Sequence, residues 1–170
     1  GKFNSEERRL YRKKLPDVRK SETHKFSISG HEGYLTYSFF EDESLGEIFI
    51  RMSKQGSTLA GLLDAFAIAV SIALQYGVPL KDLVSKFIHM RFDPLGITTN
   101  NDIQFASSII DYIFKYLAKR FLNEDDLILM GLVEKENISL HQHPKLFLNG
   151  NDNGNLQSQS SSENGRELSG

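Results

Sequence analysis

The spacing of apolar positions changes character once along this chain, and that change divides it. From residue 25 the period is two. Phe26 and Ile28 alternate with Lys25, Ser27 and Ser29. Residues Gly30 to Gly33 read as a turn holding two glycines. Leu35, Tyr37 and Phe39 then share one face, opposite Tyr34, Thr36 and Ser38. The polar run Glu41-Asp42-Glu43-Ser44 reads as a second turn, and Ile48, Ile50 and Met52 share a face of a third strand. Short alternating runs joined by tight turns predict an antiparallel meander.

From Gly56 the period becomes helical. Gly56-Ser57-Thr58 can open and cap a helix. Leu59, Leu62, Leu63, Phe66, Val70, Ala73 and Leu74 follow at helical spacing, and alanines fill the other sides. That composition predicts burial on several faces. Gly77 and Pro79 end the helix. Leu80, Leu83, Val84, Phe87 and Ile88 mark a shorter second helix, and Asp93-Pro94-Leu95-Gly96 a turn. Ile103, Ala106, Ile109, Ile110, Ile113, Leu117 and Phe121 mark a third, with Lys115, Lys119 and Arg120 outside the stripe. Strands followed by helices predict an α+β fold, a small antiparallel β-meander packed against about three α-helices.

The predicted domain covers residues 21–122. Residues 1–20 form a basic arm or linker, in which Asn4 and Glu7 signal a helix start and Pro16 a stop. Residues 123–148 hold short elements, among them Leu127 to Val133. Of the 22 residues from Asn149 to Gly170, 16 are Asn, Ser, Gly or Gln, which predicts a disordered polar tail.

Charge refines this division. The 170 residues carry 22 acids and 20 bases, a net −2, so no global charge drives the chain onto nucleic acid or membrane. Residues 1–25 hold nine bases and four acids, making that segment +5 and the remainder −7. The apolar run Leu59 to Leu74 is 16 residues long and contains Asp64. It falls short of the ~20 residues of a spanning helix, so a core helix and no membrane contact are expected. No signal-peptide pattern stands at the start. There is no cysteine, which removes disulfides, thiolate nucleophiles and thiol redox chemistry from this chain. A reducing, cytoplasmic setting fits that absence.

Candidate chemistry lies in four places. His31 and Glu32 stand between two glycines, where an imidazole and a carboxylate, with Tyr34 beside them, could bind a ligand or move a proton. A tight turn with exposed polar residues is the alternative. Arg12, Lys13, Lys14, Arg19 and Lys20 could meet phosphates, or serve as a linker or a face for an acidic partner. Few aromatics interleave with them, which argues against a nucleic-acid partner. His141 and His143 flank Gln142 but lack a third metal ligand nearby; no metal site is expected. His24 and His89 stand alone and read as structural. Asp64 is either a buried carboxylate or the wet edge of its helix. Nucleotide-loop, hydrolase and zinc-protease motifs are absent.

Several blocks in order carry a resemblance: Arg12-Lys13-Lys14-Leu15-Pro16-Asp17, Thr23-His24-Lys25-Phe26-Ser27-Ile28, Gly30-His31-Glu32-Gly33-Tyr34, Gly46-Glu47-Ile48-Phe49-Ile50, Gly56-Ser57-Thr58, Ala73-Leu74-Gln75-Tyr76-Gly77-Val78-Pro79-Leu80, Phe92-Asp93-Pro94-Leu95-Gly96 and Asp111-Tyr112-Ile113-Phe114. Over roughly residues 8–122 the chain resembles the C-terminal region of adenosylcobalamin-dependent (class II) ribonucleotide reductases, a TSCPD-like domain. The resemblance implies a domain that follows a large catalytic barrel, with adenosylcobalamin as the parent enzyme's cofactor and the barrel as partner. In that family the reacting cysteines lie in the barrel, and a further pair on a terminal tail regenerates them. This chain has none, so by itself it cannot run the radical chemistry or the dithiol relay. The expectation is an accessory domain or split subunit supporting deoxyribonucleotide synthesis. The alternative is a stand-alone nucleotide- or small-molecule-binding protein descended from that domain. The resemblance assigns no catalytic residue here.

Overall fold

The computed structural model describes residues 11–134. Asn4 and Glu7, the His141–His143 pair and the polar tail therefore lie outside the described residues. Three strands, β1 (Ser21–Ile28), β2 (His31–Phe39) and β3 (Leu45–Met52), form an antiparallel sheet in that order. Helices α1 (Ser57–Gln75) and α2 (Leu80–Phe87) follow. Two short strands, β4 (Gly96–Ile97) and β5 (Phe105–Ala106), pair with each other before α3 (Ile109–Phe121) and α4 (Glu124–Leu129). The fold is α+β, as the order of periodicities predicts.

The first turn is tighter than the two-glycine reading suggested. Ser29 and Gly30 both take positive φ, 50° and 81°, and Ile28 pairs directly with His31. A two-residue turn of that hand matches the twist of the flanking strands. His31, Glu32 and Gly33 consequently belong to β2 and not to the turn. Gly33 lies opposite Phe26, where an added Cβ would fall 2.7 Å from the Phe26 ring and 2.6 Å from Met52 Sδ. The glycine is there to let those two side chains close over it.

Phe26, Ile28, Leu35, Tyr37, Ile48, Ile50 and Met52 form the inner face of the sheet and are all buried. Helix α3 packs there, with Ile109, Ile110, Tyr112, Ile113, Phe114, Leu117 and Ala118 buried. Helix α2 covers it in turn, Phe87 meeting Phe114 at 4.9 Å between ring centroids. Leu127 of α4 joins the same core, so packed structure extends past residue 122. The α4 start is capped by Asn123, whose side chain accepts from the Asp126 N–H at 2.9 Å.

Helix α1 does something different: it runs along β3. The Ser71 hydroxyl accepts from the Ile48 N–H at 2.9 Å, and Gln75 Nε2 donates to the Gly46 carbonyl at 3.0 Å. These side chains satisfy backbone groups on the outer edge of β3, which would otherwise offer a template for another strand. The expectation that α1 is buried on several faces is corrected. Leu63, Ala67, Val70, Ser71, Leu74 and Gln75 are buried, while Leu62 and Ile68 stay 64% and 58% exposed. Asp64 sits at the wet edge. The helix also spans 19 residues, so by length and composition alone it is sufficient to cross a membrane, contrary to the shorter run read from sequence.

Candidate functional site

The described part of the basic arm, residues 11–20, is tied to the domain it precedes. Lys13 N–H donates to the Gln75 carbonyl at 2.9 Å, and Arg12 Nε to Gln75 Oε1 at 2.7 Å. Leu15 lies over Gly46, where a Cβ would fall 2.6 Å from Leu15 Cδ2. Arg19 meets the buried Glu47 carboxylate at 2.7 Å. Lys13 reaches Asp42 at 3.2 Å and Lys20 reaches Glu43 at 3.4 Å. Two hydrogen bonds from Ser44 and the Lys13 ammonium hold the Asp42 carboxyl down at about 2. Arg12, Lys13, Arg19 and Lys20 thus each place at least one donor within the chain. Lys14 is exposed.

Adjacent residues of a strand point to opposite faces, so His31 and Glu32 do not form one imidazole–carboxylate unit. Glu32 faces outward with Tyr34. Its carboxylate takes Lys25 Nζ at 2.9 Å and the Tyr34 hydroxyl at 3.2 Å. The Lys25 contact, followed by Tyr34 and Ser53, holds its pKa below the usual carboxylate value, and the same contact raises that of Lys25. Such a group is a poor proton acceptor at neutral pH. His31 is exposed and lines two shallow clefts, about 220 Å³ beside Ser53 and Lys54 and about 430 Å³ beside Gln55, Asp93 and Pro94.

The polar constellation that sequence reading passed over lies between β1 and α3. His24 shares the inward parity of Phe26. Its ring stacks on Tyr116 at 4.0 Å, with 7° between planes, and its Nε2 lies 2.9 Å from the Tyr112 hydroxyl. Asn100 Nδ2 donates to that hydroxyl at 3.1 Å, leaving its proton for a neutral His24. Burial lowers the His24 pKa, consistent with that state. One step along, the Tyr37 hydroxyl donates to Glu22 at 2.6 Å and lies 3.1 Å from the Tyr116 hydroxyl. Tyr37 lowers the Glu22 pKa, and Arg120 adds to the effect from 3.5 Å. The signal in sequence was Tyr112 and Tyr116, four apart on one helix, together with His24 on the inward parity of β1.

Asp111, next to Tyr112, is fully buried. It accepts from the His89 N–H at 2.5 Å, the Ser107 N–H at 2.9 Å and Lys115 Nζ at 2.8 Å, while Ser108 caps its own N–H at 3.0 Å. One carboxylate thereby fixes both ends of the 89–107 loop to the start of α3. Both clusters bind structure together; among the described residues no group of three or more His, Cys, Asp or Glu side chains is placed to hold a metal ion.

Comparison with known families bears on residues 6–121, which match the TSCPD domain. The chain belongs to the TSCPD domain family. The TSCPD chain is 50% identical to the vitamin B12-dependent ribonucleotide reductase of Streptantibioticus cattleyicolor over 135 residues, 79% of this chain and 22% of that protein. It is 53% identical to the protein of that name from Rhodopirellula baltica over 115 residues, 68% of this chain and 11% of the relative. The match to the Bradyrhizobium diazoefficiens protein is 47% over 117 residues and covers 9% of its length. The chain thus spans under a quarter of each of these relatives. No solved structure matches it.

The vitamin B12 in those names finds no fitting site among the side chains just described. His31 stands at clefts of about 220 and 430 Å³, the first below and the second at the small end of the ~300–1,000 Å³ of pockets for drug-sized ligands, and a cobalamin is larger than those ligands. The groove of about 590 Å³ between the arm and the end of α1 is open and mostly apolar, and it too is small for a cobalamin.

Proposed function

We propose that this TSCPD domain is an accessory C-terminal domain or split subunit of a cobalamin-dependent ribonucleotide reductase. It supports deoxyribonucleotide synthesis in the cytoplasm without supplying the reacting thiols. The observation that carries this reading is identity near 50% over most of the chain but a small fraction of each reductase. The absence of cysteine agrees with it, because thiyl and dithiol chemistry need sulfur that this chain lacks. The catalytic portion of the reductase, with its adenosylcobalamin, is the partner. Affinity purification of the tagged protein from its own cell, followed by mass spectrometry and a reductase assay, tests the proposal. Reductase sequence should be recovered, joined to the chain or bound to it. Loss of the domain should lower deoxyribonucleotide formation. Recovery of no reductase sequence would defeat the reading.

Nucleotide or small-molecule binding is a second reading with one observation behind it: His31 and Lys54 both line the clefts of about 220 and 430 Å³. Calorimetry with nucleotides and cobalamins should then show heat that His31→Ala reduces. No heat with any of them removes it.

A further inference from the structure

We infer that the exposed side of α1 is the surface on which the catalytic portion of the larger reductase polypeptide docks. The inference rests on the accessory-domain reading and names its contact face. Thr58, Gly61, Leu62, Ala65, Ile68, Ala69, Ile72 and Tyr76 fall on one side of the helix at three- and four-residue spacing. None carries a charge. Leu62, Ile68 and Tyr76 are 64%, 58% and 43% exposed, and no described element covers them. The opposite side is already committed to β3 through Ser71 and Gln75. The helix therefore has two working faces, and the second has no partner among the described residues.

Two observations select the occupant. The first is where the polypeptide arrives. Arg12 and Lys13 bond to Gln75 in the last turn of α1, and Tyr11 lines the same groove as Tyr76 and Val78. In a C-terminal domain, the chain coming from the catalytic portion reaches this fold at the end of the uncovered stripe. The second is size. From Leu62 to Tyr76 the stripe runs about 21 Å at 1.5 Å per residue, and a helix is about 10 Å wide. A face of roughly 200 Å² is far below the ~800 Å² per partner of a stable free complex. It suits a partner on the same polypeptide, because a short tether holds it at about millimolar effective concentration. A second copy lacks that advantage.

The test places a photo-crosslinking benzoylphenylalanine at position 68, or at position 62, in the protein as its own cell makes it. A control carries it at position 49, the exposed Phe49 of the outer sheet face. The expected result is light-dependent linkage from 68 and 62 to peptides of the reductase's catalytic portion, about tenfold above that from 49, since a crosslinker reports only what it touches. Linkage from 68 and 62 only to a second copy, only to lipid, or to nothing overturns the inference. So does equal linkage from 49. If the purified protein contains or retains the reductase but 68 and 62 stay silent, the docking face is wrong and the accessory role stands. If reductase sequence is absent altogether, the accessory role fails and this inference with it.

Discussion

Helices α1 and α3 pack on the same three-stranded sheet, and their sequences suggest the wrong one as the more buried. Helix α1 carries a single charge, Asp64, and its alanines suggest a core on every side. Helix α3 carries Asp111, Lys115, Lys119 and Arg120. Yet α3 buries eight of its thirteen residues and α1 six of nineteen, so the more polar helix is the more enclosed. The difference lies in what each covers. Helix α3 sits against the broad inner face of the sheet and under α2, so even its carboxylate is enclosed and must be satisfied. Helix α1 sits against a strand edge, a line and not a plane, which touches only one side of a cylinder. Apolar composition measures what a helix can tolerate against it; the shape of its neighbour decides what it gets.

Asp111 is the point at which to break this comparison. Asp111→Ala removes the acceptor for two backbone N–H groups and strands Lys115, so it should cost about 3–5 kcal/mol of unfolding free energy in a urea titration. Asp111→Asn keeps one acceptor oxygen and should recover part of the loss. A cost below about 1 kcal/mol for the alanine variant would mean that the α3 corner is not the anchor described.

On the α1 side, Ser71→Ala should cost about 1–3 kcal/mol, because it leaves the Ile48 N–H on a covered strand edge without an acceptor. Replacing Ser71 by Thr, which retains a hydroxyl, sharpens the reading if the methyl group is accommodated. A neutral Ser71→Ala would show that helix packing alone, without the hydroxyl, seals β3.

His24 brings pH into the contact between β1 and α3. Burial lowers its pKa from 6.5, so between that value and the folded pKa the unfolded chain binds the proton first. Its contribution is present in full above pH 6.5 and is lost as pH falls through the folded value. Glu22 and Glu32, also lowered, act in the same sense further down, below their unperturbed 4.5. Thermal midpoints should fall between pH 7 and pH 5.5, and His24→Phe should flatten that segment while leaving the steeper acid limb. An unchanged slope in the variant would take His24 out of the account.

The smallest effect belongs to the open side of α1. Ile68→Asp, more than half exposed, should shift stability by only about 0.5 kcal/mol in the same urea titration. A loss of 2 kcal/mol or more, far outside that surface range, would show that position 68 is covered in the isolated chain and that the contrast between the helices is false.

What the sequence determined by itself was local. Alternation in Phe26–Ile28, Leu35–Phe39 and Ile48–Met52 requires strands, and the three- and four-residue spacing in 59–74 and 109–121 requires helices, because each pattern is the footprint of one backbone period. The ordered blocks were enough for the family. The site was legible only in part: His31 and Glu32 were visible as polar residues between glycines, but strand parity, set once the turn closed at Ser29-Gly30, sends them to opposite faces. Only the tertiary structure could bring His24 to Tyr112 and Tyr116 across 88 and 92 positions, fold the basic arm onto Asp42, Glu43 and Glu47, enclose Asp111 and leave Ile68 outside. Those outcomes depend on which surfaces meet, and a surface is made of residues far apart in the chain, so no local period records it.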